Sequence, residues 1–203
     1  SGTIRNFAGV YNSVRIRNLE GGTVLVAPGA TIQIDANDLW NAGTIVAARE
    51  IHWAASVILH GGGTLVLNDT RLLDPNVDQE ITDQYNRVMA IASGTTLRCS
   101  GVVFKQNIEN SGVIEADVAQ SKVTGAREKV LWFNGIINNR GTIRVLNGGH
   151  INVNRPTIFN ANGLITSGPG GGSIRLEMPL KMLGTIGALQ GGRLPGSGAG
   201  GSV

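Results

Sequence analysis

Gly141-Thr142-Ile143-Arg144-Val145 is one copy of a unit that keeps returning along the chain. Glycine comes first, then threonine or an apolar residue, then an apolar residue. The unit recurs at Gly22-Thr23-Val24, Gly43-Thr44-Ile45, Gly63-Thr64-Leu65, Gly94-Thr95-Thr96-Leu97, Gly112-Val113-Ile114, Gly163-Leu164-Ile165 and Gly184-Thr185-Ile186. The glycines are 21, 20, 31, 18, 29, 22 and 21 residues apart. Two steps exceed the others by about eight to ten residues, as a loop inserted into a regular coil would make them. A fixed period in this range marks a solenoid, whose units stack on their neighbours.

Each unit reads as a strand. Ile143 and Val145 share one face while Thr142 and Arg144 share the other; Leu65 and Leu67 alternate with Thr64 and Val66 in the same way. Period two with β-branched residues is the strand pattern. Asparagine precedes the glycine closely at Asn41, Asn110, Asn139 and Asn162. Asn and Gly tolerate positive φ, so the chain can turn a corner there. Asn at one corner of successive coils can also hydrogen-bond to its copy above and below. Val24 and Val26 are followed by Ile32 and Ile34 across Pro28-Gly29; Ile143 and Val145 are followed by Ile151 and Val153 across Asn147-Gly148-Gly149. A coil therefore holds two or three short strands.

The expected fold is all-β: a single-stranded parallel β-helix of about eight coils of ~21 residues, roughly 40 Å long at one strand spacing per coil. Right-handedness is expected from the chirality of parallel crossovers. Residues 1–20 form an entry segment or cap, as a short amphipathic helix or an early strand around Val14-Arg15-Ile16-Arg17. Residues 21–190 are the solenoid, interrupted by projecting loops at 68–93 and 117–131. Residues 191–203 have the Gly/Ser-rich composition of a flexible tail.

Composition agrees with a narrow aliphatic interior: apolar residues make up 41 %, aromatics only 4 %, and glycine 30 of 203. Charged residues are 15 %, against about 25 % in ordinary domains, so the surface is rich in Asn, Ser, Thr and Gly. That suits a secreted or virion-surface protein. The net charge of +3 comes from scattered cations, which argues against nucleic acid as a partner. No apolar run is long enough for membrane insertion. The single Cys99 excludes an intrachain disulfide and a cysteine zinc set, and its alternation with Leu97 predicts a buried thiol.

The stretch Phe133-Asn134-Gly135-Ile136-Ile137-Asn138-Asn139-Arg140-Gly141-Thr142-Ile143, followed by Ile158-Phe159-Asn160-Ala161-Asn162-Gly163-Leu164-Ile165, resembles the repeats of bacterial secreted β-helix proteins such as autotransporter passengers and filamentous-haemagglutinin-like adhesins. The likeness is strongest over about residues 105–190. It is a match of repeat grammar and implies a surface adhesin, stalk or structural polymer.

Sites of chemistry are harder to find. Asp74, Asp78, Glu80 and Asp83 gather in the first inserted loop, with Glu115 and Asp117 as neighbours if the loops fold over one face. Carbohydrate cleavage needs two carboxylates at a defined separation; the plainer reading is a solvated acidic loop. His52, His60 and His150 are too far apart in sequence for a local metal set, and no metal or other cofactor is expected. Trp40, Trp53 and Trp132 are candidate ligand platforms for sugars, or else fill corners. Thr23, Thr44, Thr64, Thr142 and Thr185 would line up as an outward column, which raises ice binding; threonine is also simply favourable on an exposed strand.

The expectation from sequence is thus a structural or adhesive extracellular, cell-surface or virion-surface rod. It would display its loops, self-assemble through its ends or sides as a homo-oligomer or filament, or pair with other surface components or glycans. The alternative is a polysaccharide-binding or polysaccharide-cleaving β-helix module, and the former reading makes it no enzyme.

Overall fold

The computed structural model describes residues 3–6, 17–26, 31–34, 38–53, 56–74, 79–80, 87–118, 130–153, 158–176, 181–182 and 185–186. Among these there is no helix. The strands fall into three sheets, and with one exception every pairing between them is parallel.

The first sheet runs through Thr3–Asn6, Thr23–Val26, Thr44–Trp53, Thr64–Asp74, Thr96–Ser100, Val113–Asp117, Thr142–Leu146, Leu164–Ser167 and Thr185–Ile186, in chain order. The second runs through Arg17–Asn18, Asp38–Asn41, Val57–His60, Val88–Ile91, Asn107–Asn110, Ile137–Asn139, Ile158–Asn160 and Lys181–Met182. The third contains Val103–Phe104, Val130–Phe133, Gly149–Val153 and Gly172–Leu176. The chain visits the sheets in rotation, so each strand pairs with its equivalent one turn earlier and one turn later. This arrangement is compatible with a solenoid.

In the N-terminal half the first and third walls are not separate. Thr44–Trp53 and Thr64–Asp74 are long strands whose first halves pair as the first wall. Their second halves pair with each other, and Thr31–Ile34 pairs on Glu50–Trp53. A register shift between Ala48 and Glu50, with Asp69 at φ 49°, turns the chain through the corner without breaking the ladder. In the C-terminal half Asn147 (φ 52°) and Gly148 (φ 76°) take that corner outright, and the walls part.

The core lies between the walls and is built from columns. Val24, Ile45, Leu65, Leu97, Ile114, Ile143 and Ile165 follow one another in register, all buried. A second column holds Ala47, Leu67, Cys99, Ala116 and Val145. The third wall adds Phe104 stacked on Phe133, with centroids 5.6 Å apart and planes 16° apart. Small residues in the second column match bulky aromatics nearby, as close packing demands.

The inserted segments are shorter than the sequence suggests. Of the loop expected at 68–93, Asn68–Asp74 continues a strand and Val88–Ile91 belongs to the second sheet. Of the loop expected at 117–131, Asp117 ends one strand and Val130 begins another. Both flanks carry alternating burial that a low-contrast mixture of polar and apolar residues concealed. In the expected entry segment, Thr3–Asn6 and Arg17–Asn18 pair as strands of the first and second sheets. The tail at 191–203 and the expected helix positions within 7–16 lie outside the described residues.

Candidate functional site

Three features stand out: a stacked corner, a charge cluster on the first sheet and a mixed strip on the third.

The corner joins the second sheet to the first. Thr44, Thr64, Thr142 and Leu164 each donate a backbone N–H to the carbonyl of Gly22, Gly43, Gly112 and Gly141 respectively, at 2.8–2.9 Å. The glycines sit directly on one another. A Cβ on Gly43, Gly63, Gly112 or Gly141 would overlap the backbone of the coil beneath, so no side chain fits. At the fourth unit the stacked residue is Thr95, not Gly94: Thr96 pairs with Thr64 and donates to the Gly63 carbonyl. Gly94 (φ 80°) instead lies beside Gly62 (φ 82°) in a longer turn. Gly184 lies outside the described residues.

Asparagines line the same corner. Asn18 donates from Nδ2 to Asn41 Oδ1 at 2.8 Å; Asn110 does so to Asn139 at 2.7 Å and Asn139 to Asn160 at 2.6 Å. The structure places Asn160 in this column where the sequence pointed to Asn162. The corner there is one residue longer, and Asn162 stands exposed at φ 63°. Between the two runs of the ladder, Gly61 follows Asn41 and Ile91 precedes Asn110 in register. The intervening turns are longer, and Gly61 and Gly62 take positive φ.

The outward column on the first sheet reads Thr3, Thr23, Thr44, Thr64, Thr96, Val113, Thr142, Leu164 and Thr185. Beside it runs Leu25, Val46, Val66, Arg98, Glu115, Arg144 and Thr166. The charges are concentrated there. Glu115 is fully buried, although its position in the strand alternation faces away from the core. Arg98 Nε donates to its Oε2 at 2.6 Å, and Arg144 Nε to its Oε1 at 2.7 Å, with the Arg144 terminal nitrogen also on Oε1. Arg98 Nε lies 3.7 Å from Asp117 Oδ2, and Asn147 donates to Asp117 Oδ1 at 2.9 Å. Both Glu115 oxygens are thus occupied by guanidinium donors, which holds the carboxylate as a charged structural bridge across three strands. Behind it Cys99 is buried; burial, and secondarily the Glu115 charge, push its thiol well above the ordinary value.

The acids of the first inserted segment are dispersed. Asp74 ends a strand, and Gln79–Glu80 pairs antiparallel with Leu73 and Asp74; Asp78 and Asp83 lie outside the described residues. Among the described residues no group of three metal-ligating side chains gathers, and no helix is long and apolar enough to cross a membrane. His60 follows Trp40 in register, while His52 is on the far strand half. The Arg17 guanidinium lies 4.6 Å over the Trp40 ring, a cation–π pair. Trp53 ends a strand.

Trp132 lies on the outer side of the third wall. Leu131 and Phe133 are buried while Trp132 is half-buried. In register with it stand Val103, Asn152 and Arg175, and alongside stand Val130, His150 and Ser173. Reading the Asn, His and Arg of this strip from sequence was impeded because each lies in a different coil.

No family model, characterised protein or solved structure matches this chain.

Proposed function

We propose that the chain is a right-handed parallel β-helix that serves as a rigid structural or adhesive rod at an extracellular, cell or virion surface. The observation that carries this reading is the first sheet: eight successive parallel pairings in one register. Such a ladder, pinned by glycine stacking and an asparagine column, resists bending and slippage because a one-residue slip would turn every core side chain outward. The most strongly buried charged group, Glu115, is spent on tying adjacent strands together. The outward face near Thr23 and Thr44, with Leu25 and Val46 beside it, is flat and weakly charged, and suits association of copies side by side.

Light scattering combined with negative-stain imaging over a concentration series tests this. Filaments or discrete rod-shaped oligomers are expected. A stable monomer at every concentration would overturn the self-assembly part of the reading.

A further inference from the structure

We propose that the outer strip of the third wall, centred on Trp132, binds an acidic oligosaccharide. The strip spans four consecutive strands. Val103, 42 % exposed, and half-buried Trp132 form its apolar end. Asn152 follows Trp132 in register, and exposed Arg175 follows Asn152. Exposed His150 and Ser173 run parallel to them, with His150 Nδ1 and Ser173 Oγ 2.7 Å apart. At about 4.8 Å per strand, Trp132 and Arg175 lie roughly 10 Å apart. A flat indole takes the apolar face of a sugar ring while its neighbours take the hydroxyls.

Two further observations point to a ligand of this kind. Asn152 is 8 % exposed, and its Oδ1 accepts no hydrogen bond from the protein. A buried acceptor without a donor costs about 1–3 kcal/mol; a sugar hydroxyl arriving over the strip supplies the donor. The second is charge. The described outward residues of this wall are Val103, Val130, Trp132, His150, Asn152, Ser173 and Arg175, with no carboxylate among them. A guanidinium is a planar partner for a uronate carboxylate. The ring and the guanidinium stand on separate strands held by the same ladder, so the site is formed before ligand arrives.

The test is calorimetric titration of the whole chain with an oligouronate and with its carboxyl-reduced, neutral counterpart. Saturable binding of the oligouronate is expected. It should weaken at least tenfold with Arg175→Gln, which alters an exposed side chain, and at least tenfold with Trp132→Phe, which keeps an aromatic filler. The indole N–H resonance of Trp132 should shift on titration while that of Trp40 stays in place. Failure to bind the oligouronate, binding undiminished in both variants, or equal affinity for the neutral counterpart would overturn the proposal.

Discussion

Asn110 donates from Nδ2 to Oδ1 of Asn139 at 2.7 Å, although 29 residues separate them along the chain. Asn139 passes the pattern on to Asn160. Each of these amides is buried, so each depends on its neighbour in the next coil for its hydrogen bonds. Asn139→Ala should therefore cost about 2–4 kcal/mol, since it strands a donor below and an acceptor above. Asn162→Gly should be neutral or slightly stabilising, because Asn162 holds a positive φ that glycine adopts freely. Urea midpoints of the two variants check the contrast. Equal losses would contradict the placement of Asn160, rather than Asn162, in the column.

Gly141 and Gly21 separate crowding from backbone strain. A Cβ at Gly141 would overlap the Gly112 carbonyl oxygen, whereas one at Gly21 meets nothing within 4 Å. Gly21 has φ 73°, so Gly21→Ala should cost only about 1–2 kcal/mol of left-handed strain. Gly141→Ala should cost about 3 kcal/mol or more, because the obstacle is backbone and the coils must separate to admit the methyl group. Thermal melts of the two variants decide the point.

Glu115→Gln keeps the shape of the side chain and removes the charge between Arg98 and Arg144. A loss of about 2–3 kcal/mol is expected from the weakened charge-assisted bonds. Because the carboxylate is buried, the loss should persist in high salt, unlike that of a surface pair. Chemical denaturation at low and high ionic strength measures this.

Cys99 makes stability depend on alkaline pH. Its folded thiol titrates well above the model value of 9.0. Above that value the unfolded chain has released a proton that the folded chain still holds, so stability falls as pH rises, by about 1.4 kcal/mol per unit. The fall continues until the folded thiol itself ionises; below pH 9 the group contributes its full stability. Subtracting the profile of Cys99→Val from that of the native chain isolates the slope. Identical profiles would contradict the burial of this thiol.

Much of the architecture was legible because the side chains that set it recur at one spacing. Ile143, Ile165 and their equivalents carry strong apolar alternation, and the corner glycines mark where each coil begins. The parallel, helix-free sheets follow from those residues alone. What stayed hidden involves length changes within a turn. Gly94-Thr95-Thr96 contains the expected glycine and threonine, yet the longer turn shifts the stacked position to Thr95. Asn162 precedes Gly163 as Asn139 nearly precedes Gly141, but the added residue hands the ladder to Asn160. The Glu115 cluster was harder still. Arg98, Glu115 and Arg144 are 17 and 29 residues apart, and only the strand register through two inserted segments brings them together. Trp132, Asn152 and Arg175 share a strip for the same reason.

Pulsed electron–electron spin spacing along the outward column of the first sheet tests the stacked account most directly. Spin labels at Thr23→Cys and Leu164→Cys stand six strands apart in register, about 29 Å at ~4.8 Å per strand. Labels at Thr44→Cys and Thr142→Cys stand four strands apart, about 19 Å. Native Cys99 is buried and protonated, which shields it from labelling. The account predicts two narrow distance distributions whose centres differ by about 10 Å, the length of two strand spacings. Broad distributions, or centres that fail to separate by that length, would contradict a straight stack of coils.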